Sequence, residues 1–312
     1  MFDLNKLKEL YQKNENLVEY MRNQSKTETN TTEQIMISYD FQAGTYTEGY
    51  YKNPMNRIKE AEVIAEVIRE KGLSGSILEA GVGEASTLVP LLNLLDSDGK
   101  QTFDAIYGFD ISWSRIKAAK KFAKDQKQDQ IVFFTGDLLN IPLHNNSIDT
   151  VYTCDAIEPN GGKEKEILKE LYRVCRKYLI LREPCYEYAG EKAKARMLRH
   201  GYITNLYQSA VELGYTVERY GLYRSSPDDI NPEGLMVIRK TRFDEEDACI
   251  GQPFACPISK KGMERYESDW GGVEFYCPES MLAYPIIQGI PCLLPNNAVV
   301  ATKYLVDFDG RS

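Results

Sequence analysis

Two closely spaced glycines stand beside an acidic residue in the segment ILEAGVGEAS, residues 77–86. Gly81 and Gly83 have no side chains, so a ligand can come close to the backbone and to the start of a following helix. Glu79 adds a carboxylate to the same turn. This pattern predicts a turn that binds a nucleotide-type ligand, provided that a buried strand precedes it and a helix follows it.

A dinucleotide site of this type has two further requirements. It needs a third glycine near position 86 and an acidic residue about 20 residues further along the chain. Position 86 is Ser86, and the acid that closes the next apolar run, Asp110, lies beyond that spacing. Both departures disfavour NAD as the ligand.

Alternating strand and helix patterns must position these residues. The strand patterns are SILEAG, AIYGFD, IVFFTGD, IDTVYTCD and YLILREP, and amphipathic helical patterns such as SRIKAAKKFAKDQ and EKEILKELYRVC separate them. Two further strand patterns, YTVERYG and GLMVIRK, close the series. The alternation predicts an α/β fold in which helices cover both faces of a mostly parallel sheet and ligands bind at the carboxyl ends of the strands.

The segments on either side of this series differ from it in character. The first residues favour an amphipathic helix, and the polar run over residues 21–34 is typical of a linker or mobile segment. After the last strand pattern, short β-like runs and turn residues predict a small β-rich module. We therefore divide the chain into an N-terminal helix with a linker or lid at 1–45, a main domain at 46–242 and the small module at 243–312.

Acids and glycines at the ends of the first three strands together resemble the class I S-adenosylmethionine (SAM) methyltransferase family. The resemblance covers about residues 75–240 and is carried by Glu79, Gly81, Gly83, Asp110, Gly136 and Asp137. It implies SAM as the cofactor. It also implies a Rossmann-like seven-stranded sheet in the order 3-2-1-4-5-7-6 with an antiparallel last strand.

The same resemblance implies a role for each cofactor-binding residue. Asp110 would accept hydrogen bonds from both ribose hydroxyls, which suits a carboxylate. Asp137 would receive the adenine amine, the backbone of Leu138 would face the adenine ring, and Ile111 would pack against it. Glu79 stands where the family has an acid near the methionine amino group.

A group of tyrosines lies around the start of the main domain, in ISYDFQAGTYTEGY and the residue after it. An aromatic ring with a polar tip suits a partly hydrated ligand, so we expect Tyr46 to contact SAM as part of a lid. The other members are Tyr39, Tyr50 and Tyr51. Packing of this segment on the sheet would explain the tyrosines equally well.

Methyl transfer is an in-line displacement, so the protein positions two reactants and supplies a base for a hydroxyl acceptor. Acids after the fourth and fifth strands are candidates, namely Asp155, Glu158, Glu183 and Glu187. His200 follows a helical pattern that we expect over the site. It is either a base or substrate contact, or a residue that interacts with the helix dipole. We take Asp155, Glu183 and His200 as the catalytic candidates.

The acceptor is suggested by a second resemblance. The segments EPCYE, RM and HGY after the fifth strand, together with ISYDFQAGTYTEGY, resemble methyltransferases encoded among bacterial surface-polysaccharide genes. The resemblance implies O-methylation of a polar small molecule such as a sugar or nucleotide sugar. An RNA or protein methyltransferase, or a scaffold that binds SAM without catalysis, is the alternative.

The C-terminal segment 254–295 contains CPIS and, further on, CPESMLAYPIIQGIPCLLP. These motifs, most of all LAYPI and GIP, resemble the small zinc-ribbon-like activator subunit of tRNA and release-factor methyltransferases. A structural zinc site commonly takes four thiolates from two CxxC pairs. Here Ser259 and Ser280 replace one cysteine of each pair, alongside Cys256 and Cys277. We expect no bound metal, with Cys249 or Cys292 as the only substitute ligands, and a role as a lid, a substrate surface or a homo-oligomer contact.

Composition limits the partners of the chain. A formal net charge of -8 disfavours nucleic acid and anionic membranes, because no global positive field attracts them. No signal peptide, anchor or membrane-spanning run is evident in the sequence. Seven scattered cysteines without an export signal indicate reduced thiols and a cytoplasmic protein.

Overall fold

The computed structural model describes residues 2–97, 103–242, 252–267 and 272–306. Four short helices precede the sheet, and we call residues 2–54 the N-terminal cap. Side chains cap three of the helices, and at Thr31 a reciprocal capping box with Gln34 begins the third. The helices are α1 (Leu4–Gln12), α2 (Leu17–Ser25), α3 (Thr32–Phe41) and α4 (Thr45–Lys52).

The polar run at residues 21–34, which we expected to be a linker or mobile segment, is largely helical. α2 continues to Ser25, and α3 begins at Thr32. Met21 and Ile35 are buried, and capping by polar side chains supplies the hydrogen bonds that the helix ends lack. Residues 26–31 lie between the two helices, and the helical parts on either side were not expected because polar residues, among them the capping pair Thr31 and Gln34, obscure the apolar period.

The main domain follows as an alternation of helices and strands. Its buried strands and amphipathic helices correspond to the patterns found in the sequence. They are α5 (Met55–Lys71), β1 (Gly75–Ala80), α6 (Leu88–Asp96), β2 (Phe103–Asp110), α7 (Trp113–Asp125), β3 (Val132–Thr135), β4 (Ile148–Cys154), α8 (Glu164–Val174), β5 (Cys175–Pro184), α9 (Glu191–His200), α10 (Leu206–Glu212), β6 (Thr216–Leu222) and β7 (Glu233–Arg239).

The seven strands form one sheet in the order β3-β2-β1-β4-β5-β7-β6. β1 to β5 pair in parallel, whereas β7 is antiparallel to both β5 and β6. The predicted fold class and strand order are therefore confirmed. Because β1 to β4 are parallel neighbours, their carboxyl ends meet at one edge of the sheet.

Alternate residues of the strands feed two hydrophobic clusters, one on each face. Ile77 belongs to the cluster formed with α5, α6 and α7. Leu78, the next residue, belongs to the cluster formed with α8 and α10. This alternation of side chains is the geometry of a strand buried on both faces.

The last part of the chain, residues 252–306, is the C-terminal module. The small β-rich region expected there is present as a second sheet in the order β11-β10-β9-β8, with β12 paired to β10. The expected boundary at residue 243 lies outside the described residues. The strands are β8 (Glu264–Glu267), β9 (Val273–Cys277), β10 (Leu282–Ile287), β11 (Ile290–Pro291) and β12 (Val299–Val300).

The C-terminal module shares a hydrophobic core with the main domain. The ring of Phe254 packs edge-on against Phe134 of β3, with 5.2 Å between centroids. Cys292 forms an isolated parallel β-bridge with Thr135 of β3, and the backbone N–H of Leu293 donates to the Thr135 carbonyl at 3.2 Å. The module therefore supports the end of β3 and the loop that follows it.

The two CxxS pairs of the module come together in space. The Ser280 hydroxyl lies 3.6 Å from the Cys256 sulfur, and the Ser259 hydroxyl lies 3.8 Å from the Cys277 sulfur. The Tyr284 hydroxyl is 3.3 Å from the Cys256 sulfur. The Ser259 N–H also donates to the Cys256 sulfur at 3.5 Å, so hydrogen bonds connect all four residues of the two CxxS pairs. Cys249, a conceivable substitute ligand, lies outside the described residues.

Within the described part of the chain, no helix has both the length and the apolar content required to cross a bilayer.

Candidate active site

The glycine turn lies between β1 and α6 and requires its glycines. Gly81 has a φ of 78°, and a Cβ at this position would lie 2.3 Å from the Ala156 Cβ. Gly83 also has a positive φ, of 53°. A side chain at Gly81 would therefore clash and strain the backbone. The turn leaves its backbone open toward the adjacent cavity, which Gly81 and Gly83 line.

Asp110 at the end of β2 faces this turn. Its carboxylate accepts hydrogen bonds from the Gly83 N–H at 3.0 Å and the Ser112 N–H at 2.9 Å. Burial raises the pKa of this carboxyl, and the Arg115 guanidinium partly opposes that shift. An ionised carboxylate can accept about four hydrogen bonds, so acceptor capacity remains for a ligand.

Glu79 on β1 is deeply buried beside the turn. The Tyr152 hydroxyl donates to its carboxylate at 3.0 Å. Burial raises the pKa of Glu79 to about 8, although the hydrogen bond from Tyr152 and the charge of Arg57 act in the opposite direction. The carboxyl group is therefore ready to release its proton when a cation binds next to it.

The loop after β3 supplies a third acid. The Asp137 carboxylate accepts a hydrogen bond from the Leu139 N–H at 2.9 Å, and burial raises the pKa of Asp137. Leu138 is the next residue in the chain, and Ile111 directly follows β2. All three line the same cavity as the glycine turn.

One cavity of about 320 Å³ brings the predicted cofactor-binding residues together at the carboxyl edge of the sheet. A cavity of this size can hold one ligand of nucleoside dimensions. Nine of the predicted site residues line it: Tyr46, Glu79, Gly81, Gly83, Asp110, Ile111, Asp137, Leu138 and Asp155. Their roles toward a ligand remain predictions.

Asp155 follows β4 in a left-handed conformation, with a φ of 54°. One carboxylate oxygen, Oδ2, accepts a hydrogen bond from the buried Arg182 guanidinium at 2.7 Å. The other, Oδ1, is buried and has no hydrogen-bond partner among the described residues. Arg182 also pairs with Glu233. The arginine therefore fixes Asp155 and leaves one acceptor atom unsatisfied at the cavity.

Glu183, predicted as catalytic, does not line the cavity. Its carboxylate accepts hydrogen bonds from the backbone N–H groups of Ala156, Ile157 and Glu158 at 3.1–3.2 Å. Burial and the nearby Asp155 raise the pKa of Glu183 to about 8. Its place beneath the loop suits a positioning role for the residues that follow β4.

Glu158, like Asp155, follows β4 and lines the cavity. The Asn231 amide donates to its carboxylate at 3.4 Å. Burial, together with the charges of Asp155 and Glu183, raises the pKa of Glu158 well above its ordinary value. Glu158 was a sequence candidate that we ranked below Glu183, because spacing alone does not show which acid faces outward.

His200 ends α9 and lies outside the first cavity, on the wall of an adjoining one. The Asn16 amide nitrogen lies 3.3 Å from its Nδ1 atom. Burial lowers the pKa of His200, and the charges of Arg196 and Arg199 lower it further. The imidazole is therefore neutral at physiological pH, and its predicted role as a base or substrate contact applies to the second cavity.

The cap forms one wall of the first cavity through two of the four tyrosines. The ring of Tyr46 lies between two guanidinium groups, with the Cζ atoms of Arg57 and Arg115 at 4.7 Å and 4.5 Å from its centroid. Tyr39 stacks on Arg115 at 4.5 Å. Tyr50, in contrast, packs edge-on against Phe122 of α7 with 4.9 Å between centroids, and Tyr51 also contacts Phe122.

Two acids, Glu84 and Asp40, attach the cap, and neither was predicted as a site residue. The Glu84 carboxylate in the glycine turn accepts hydrogen bonds from the backbone N–H groups of Gly44 at 2.9 Å and Thr47 at 2.7 Å, at the start of α4. Asp40 accepts from the Ser112 hydroxyl and from the Ser114 N–H at the start of α7. Only the partner segments distinguish these acids from surface carboxylates, so the sequence contained no local signal.

A metal centre finds no support in the described ranges, since no group of three or more histidine, cysteine or acidic side chains there could hold an ion. The six cysteines described are free thiols.

Comparison with known proteins gives a family match for part of the chain. Residues 77–178, which include the glycine turn, Asp110, Asp137 and Asp155, match a family described as a methyltransferase domain. The match covers about a third of the chain. Together with the strand order, it shows that the main domain has a methyltransferase fold.

Solved structures of methyltransferases show distant similarity to this chain. Magnesium protoporphyrin IX methyltransferase from Synechocystis PCC 6803, with bound S-adenosylhomocysteine (SAH), is 16% identical, with a TM-score of 0.46 over 59% of this chain and 83% of that chain. A second structure of that enzyme holds SAM.

Two further structures show a similar level of resemblance. Geranyl diphosphate C-methyltransferase from Streptomyces coelicolor A3(2) is 10% identical, with a TM-score of 0.45 over 58% of this chain and 77% of that chain. A chain of the complex that contains the Haloferax volcanii Trm112 methyltransferase activator is 14% identical, with a TM-score of 0.49 over 67% of this chain and 98% of that chain.

Proposed function

We propose that the protein is a SAM-dependent methyltransferase that binds the cofactor in the cavity at the carboxyl edge of the sheet. The observation that carries this proposal is the convergence of acids from three neighbouring strands. Glu79, Asp110 and Asp137 follow or end β1, β2 and β3 and line a single cavity with the glycine turn. This set offers acceptors for ribose hydroxyls, an adenine amine and a cationic centre.

The residues present fit such a ligand. Asp155 lines the cavity, and its Oδ1 atom has no hydrogen-bond partner among the described residues. The open backbone at Gly81 admits a ligand where any side chain would already clash with Ala156. SAM, when bound, supplies a methyl group activated by a sulfonium. The chain's own contribution is to orient the ligand, exclude water and hold the acids.

The acceptor we propose is a polar small molecule that is methylated on oxygen, such as a sugar or nucleotide sugar of surface-polysaccharide synthesis. Glu158 supports this proposal because it places a carboxylate at the cavity wall without an arginine salt bridge among the described contacts. A base of this kind accelerates proton removal from a hydroxyl by about 10²–10⁴-fold.

A second candidate is a protein or RNA methyltransferase with a fused activator-like module. The convergence of Cys256, Ser259, Cys277 and Ser280 at the four ligand positions of a ribbon favours this candidate. The net charge of -8 disfavours RNA as the acceptor.

Calorimetric titration with SAM tests the cofactor assignment. Asp110→Ala is expected to raise the dissociation constant of SAM by at least about 100-fold, because two hydrogen bonds to a charged group contribute about 1.5–3 kcal/mol each to binding. The matched control is Asp104→Ala, an exposed acid on the same strand, which should leave affinity unchanged. Equal affinity in the parent protein and Asp110→Ala would contradict the assignment.

Thermal denaturation separates SAM from NAD. A ligand that binds only the folded state at 100 times its dissociation constant stabilises it by about 2.7 kcal/mol. We expect SAM and SAH to raise the melting temperature and NAD to leave it unchanged. The reverse pattern would favour a dinucleotide enzyme.

A further inference from the structure

A second cavity of about 390 Å³ adjoins the proposed cofactor cavity. It lies between the N-terminal cap and the end of α9. The two cavities share four wall residues, Tyr39, Tyr46, Glu158 and Pro159. A molecule in the second cavity would therefore be separated from the first only by these side chains.

The first cavity has space for one reactant. Its volume of about 320 Å³ is at the lower limit of the roughly 300–1,000 Å³ that enclose single drug-sized ligands. A methyl transfer requires two reactants in contact. The second cavity is the space that adjoins the first through an acid, Glu158.

The walls of the second cavity are polar and aromatic. Tyr11, Tyr39, Tyr46 and Tyr202 present rings with hydroxyl tips, and Asn14 lies among them. No lysine or arginine is among its lining residues in the described chain, whereas two glutamates are. The carboxylates of Glu15 and Glu158 disfavour an anion next to them, and the phenol and amide groups of the wall offer hydrogen-bond partners to a ring that carries hydroxyl groups.

The polar groups in this cavity are held in position by the surrounding chain. Asn30 donates to the backbone carbonyls of Pro159 and His200, both at 2.9 Å. The rings of His200 and Tyr202 lie 5.4 Å apart at an angle of 33°. The cavity is therefore a preorganised binding surface between the cap and the main domain.

We propose that this second cavity binds the methyl acceptor, and that the acceptor is an uncharged, hydroxyl-bearing ring compound whose reacting hydroxyl lies against Glu158. The proposal rests on the proposed function and narrows it, since it excludes acceptors that carry a phosphate. Glu158 is then the catalytic base, and Glu183 is a positioning residue that holds the backbone of its loop.

The proposed step moves one proton and one methyl group. When Glu158 is ionised, its carboxylate takes the proton of the acceptor hydroxyl as the acceptor oxygen forms a bond with the methyl carbon. The carbon–sulfur bond breaks, and its electron pair remains on sulfur, which becomes a neutral thioether. The products are a methyl ether, a protonated Glu158 and SAH.

Substitutions on α2 test the location. Val18 is partly buried and lines the second cavity, whereas Asn23 is exposed on the same helix and lines neither cavity. Val18→Trp fills the cavity and should raise the KM for the acceptor, or its dissociation constant measured by saturation-transfer NMR, at least tenfold. Asn23→Trp adds the same side chain and should change neither value. Both variants should bind SAM with unchanged affinity by calorimetry.

Glu158→Gln tests the base while conserving volume. We expect kcat to fall by about 100-fold or more, with SAM affinity and melting temperature near those of the parent protein. Glu191→Gln, which changes an exposed acid on α9, is the control. An unchanged kcat in Glu158→Gln would overturn the assignment of the base.

Acceptor chemistry is tested with labelled SAM and a panel of neutral hexoses, their methyl glycosides, hexose phosphates and hexosamines. The proposal is supported if the parent protein transfers label to the neutral compounds and the Val18→Trp variant does not. Preference for phosphates or amines, or no label in any neutral compound although SAM binds, overturns it. Failure of the parent protein to bind SAM would instead refute the proposed function, so the two failures are distinguishable.

Discussion

The N-terminal cap and the C-terminal module both pack against the main domain, but different interactions hold them. The cap has its own small core around Leu7, Leu17 and Met21, and polar side chains such as Glu84 attach it to the sheet edge. The module has no separate core, because Phe254 and Phe275 belong to the same hydrophobic cluster as residues of the seven-stranded sheet. The difference indicates that the cap can separate without unfolding the sheet, whereas the module unfolds together with it.

This difference concerns function because the cap supplies walls of both cavities. Tyr39 and Tyr46 line each of them. Opening of the cap would expose the cofactor-binding edge, and closure would exclude water from it. The module instead supports Thr135, the last residue of β3, close to Asp137. The two regions thus act on the same edge, one as a cover and the other as a support.

The largest expected effect is in the shared core. Phe254→Ala should lower the free energy of unfolding by about 3–5 kcal/mol, because it leaves a cavity between the module and β3. Denaturant unfolding should remain one cooperative transition. Val300→Ala, at an exposed position of the module, should change the free energy of unfolding by less than about 0.5 kcal/mol. Two separate transitions in the parent protein would show that the module folds independently.

A smaller and more local effect is expected for the attachment of the cap. Glu84→Gln removes a charged acceptor at the start of α4, where hydrogen bonds of this type contribute about 1.5–3 kcal/mol. Amide hydrogen exchange over residues 44–52 should become faster while exchange in β1 and β4 is unchanged. Glu48→Gln, an exposed acid on α4, is the control. Equal acceleration in the sheet strands would contradict a separable cap.

The last expected effect concerns pH. The pKa of Glu79 is raised from 4.5 to about 8, so the folded protein binds this proton more tightly than the unfolded chain does. The contribution of Glu79 to stability therefore decreases as pH rises from 4.5 to about 8. A cationic ligand favours the ionised form, so SAM affinity should increase with pH in this window, by up to about tenfold per unit.

Glu79→Gln is the variant that isolates this effect. Calorimetry over the pH range should show a shallower dependence of SAM affinity in the variant than in the parent protein, because titration of the ligand itself is common to both. Parallel pH profiles would mean that Glu79 does not change ionisation when the cofactor binds.

Much of the fold was predictable because its signals are local. Apolar strand patterns alternate with helical ones, and the family resemblance that the acids at the strand ends carry implied the strand order that the structure has. Asp110 and the glycine turn were predictable for the same reason, since parallel neighbours end at one edge. The C-terminal β-rich region was also evident from its turns, but its packing against Phe134 was not, because shared cores leave no sequence periodicity.

The remaining features depend on contacts between distant segments. Glu158 and Glu183 are both acids near strand ends, and only the direction of their side chains separates a group at the cavity from one bound to backbone amides. Glu84 and Asp40 have no local pattern that distinguishes them from surface acids. The position of His200 beside α2 follows from the path of the cap, which the polar composition of residues 21–34 obscured.

A crystal structure of the protein grown with SAM tests the central claim most directly. We expect the ligand along the carboxyl edge of the sheet, with its ribose hydroxyls at Asp110, its adenine beside Asp137 and its sulfonium end near the Asp155 Oδ1 atom. Density for SAM at another location, or an empty edge at saturating SAM, would contradict the account.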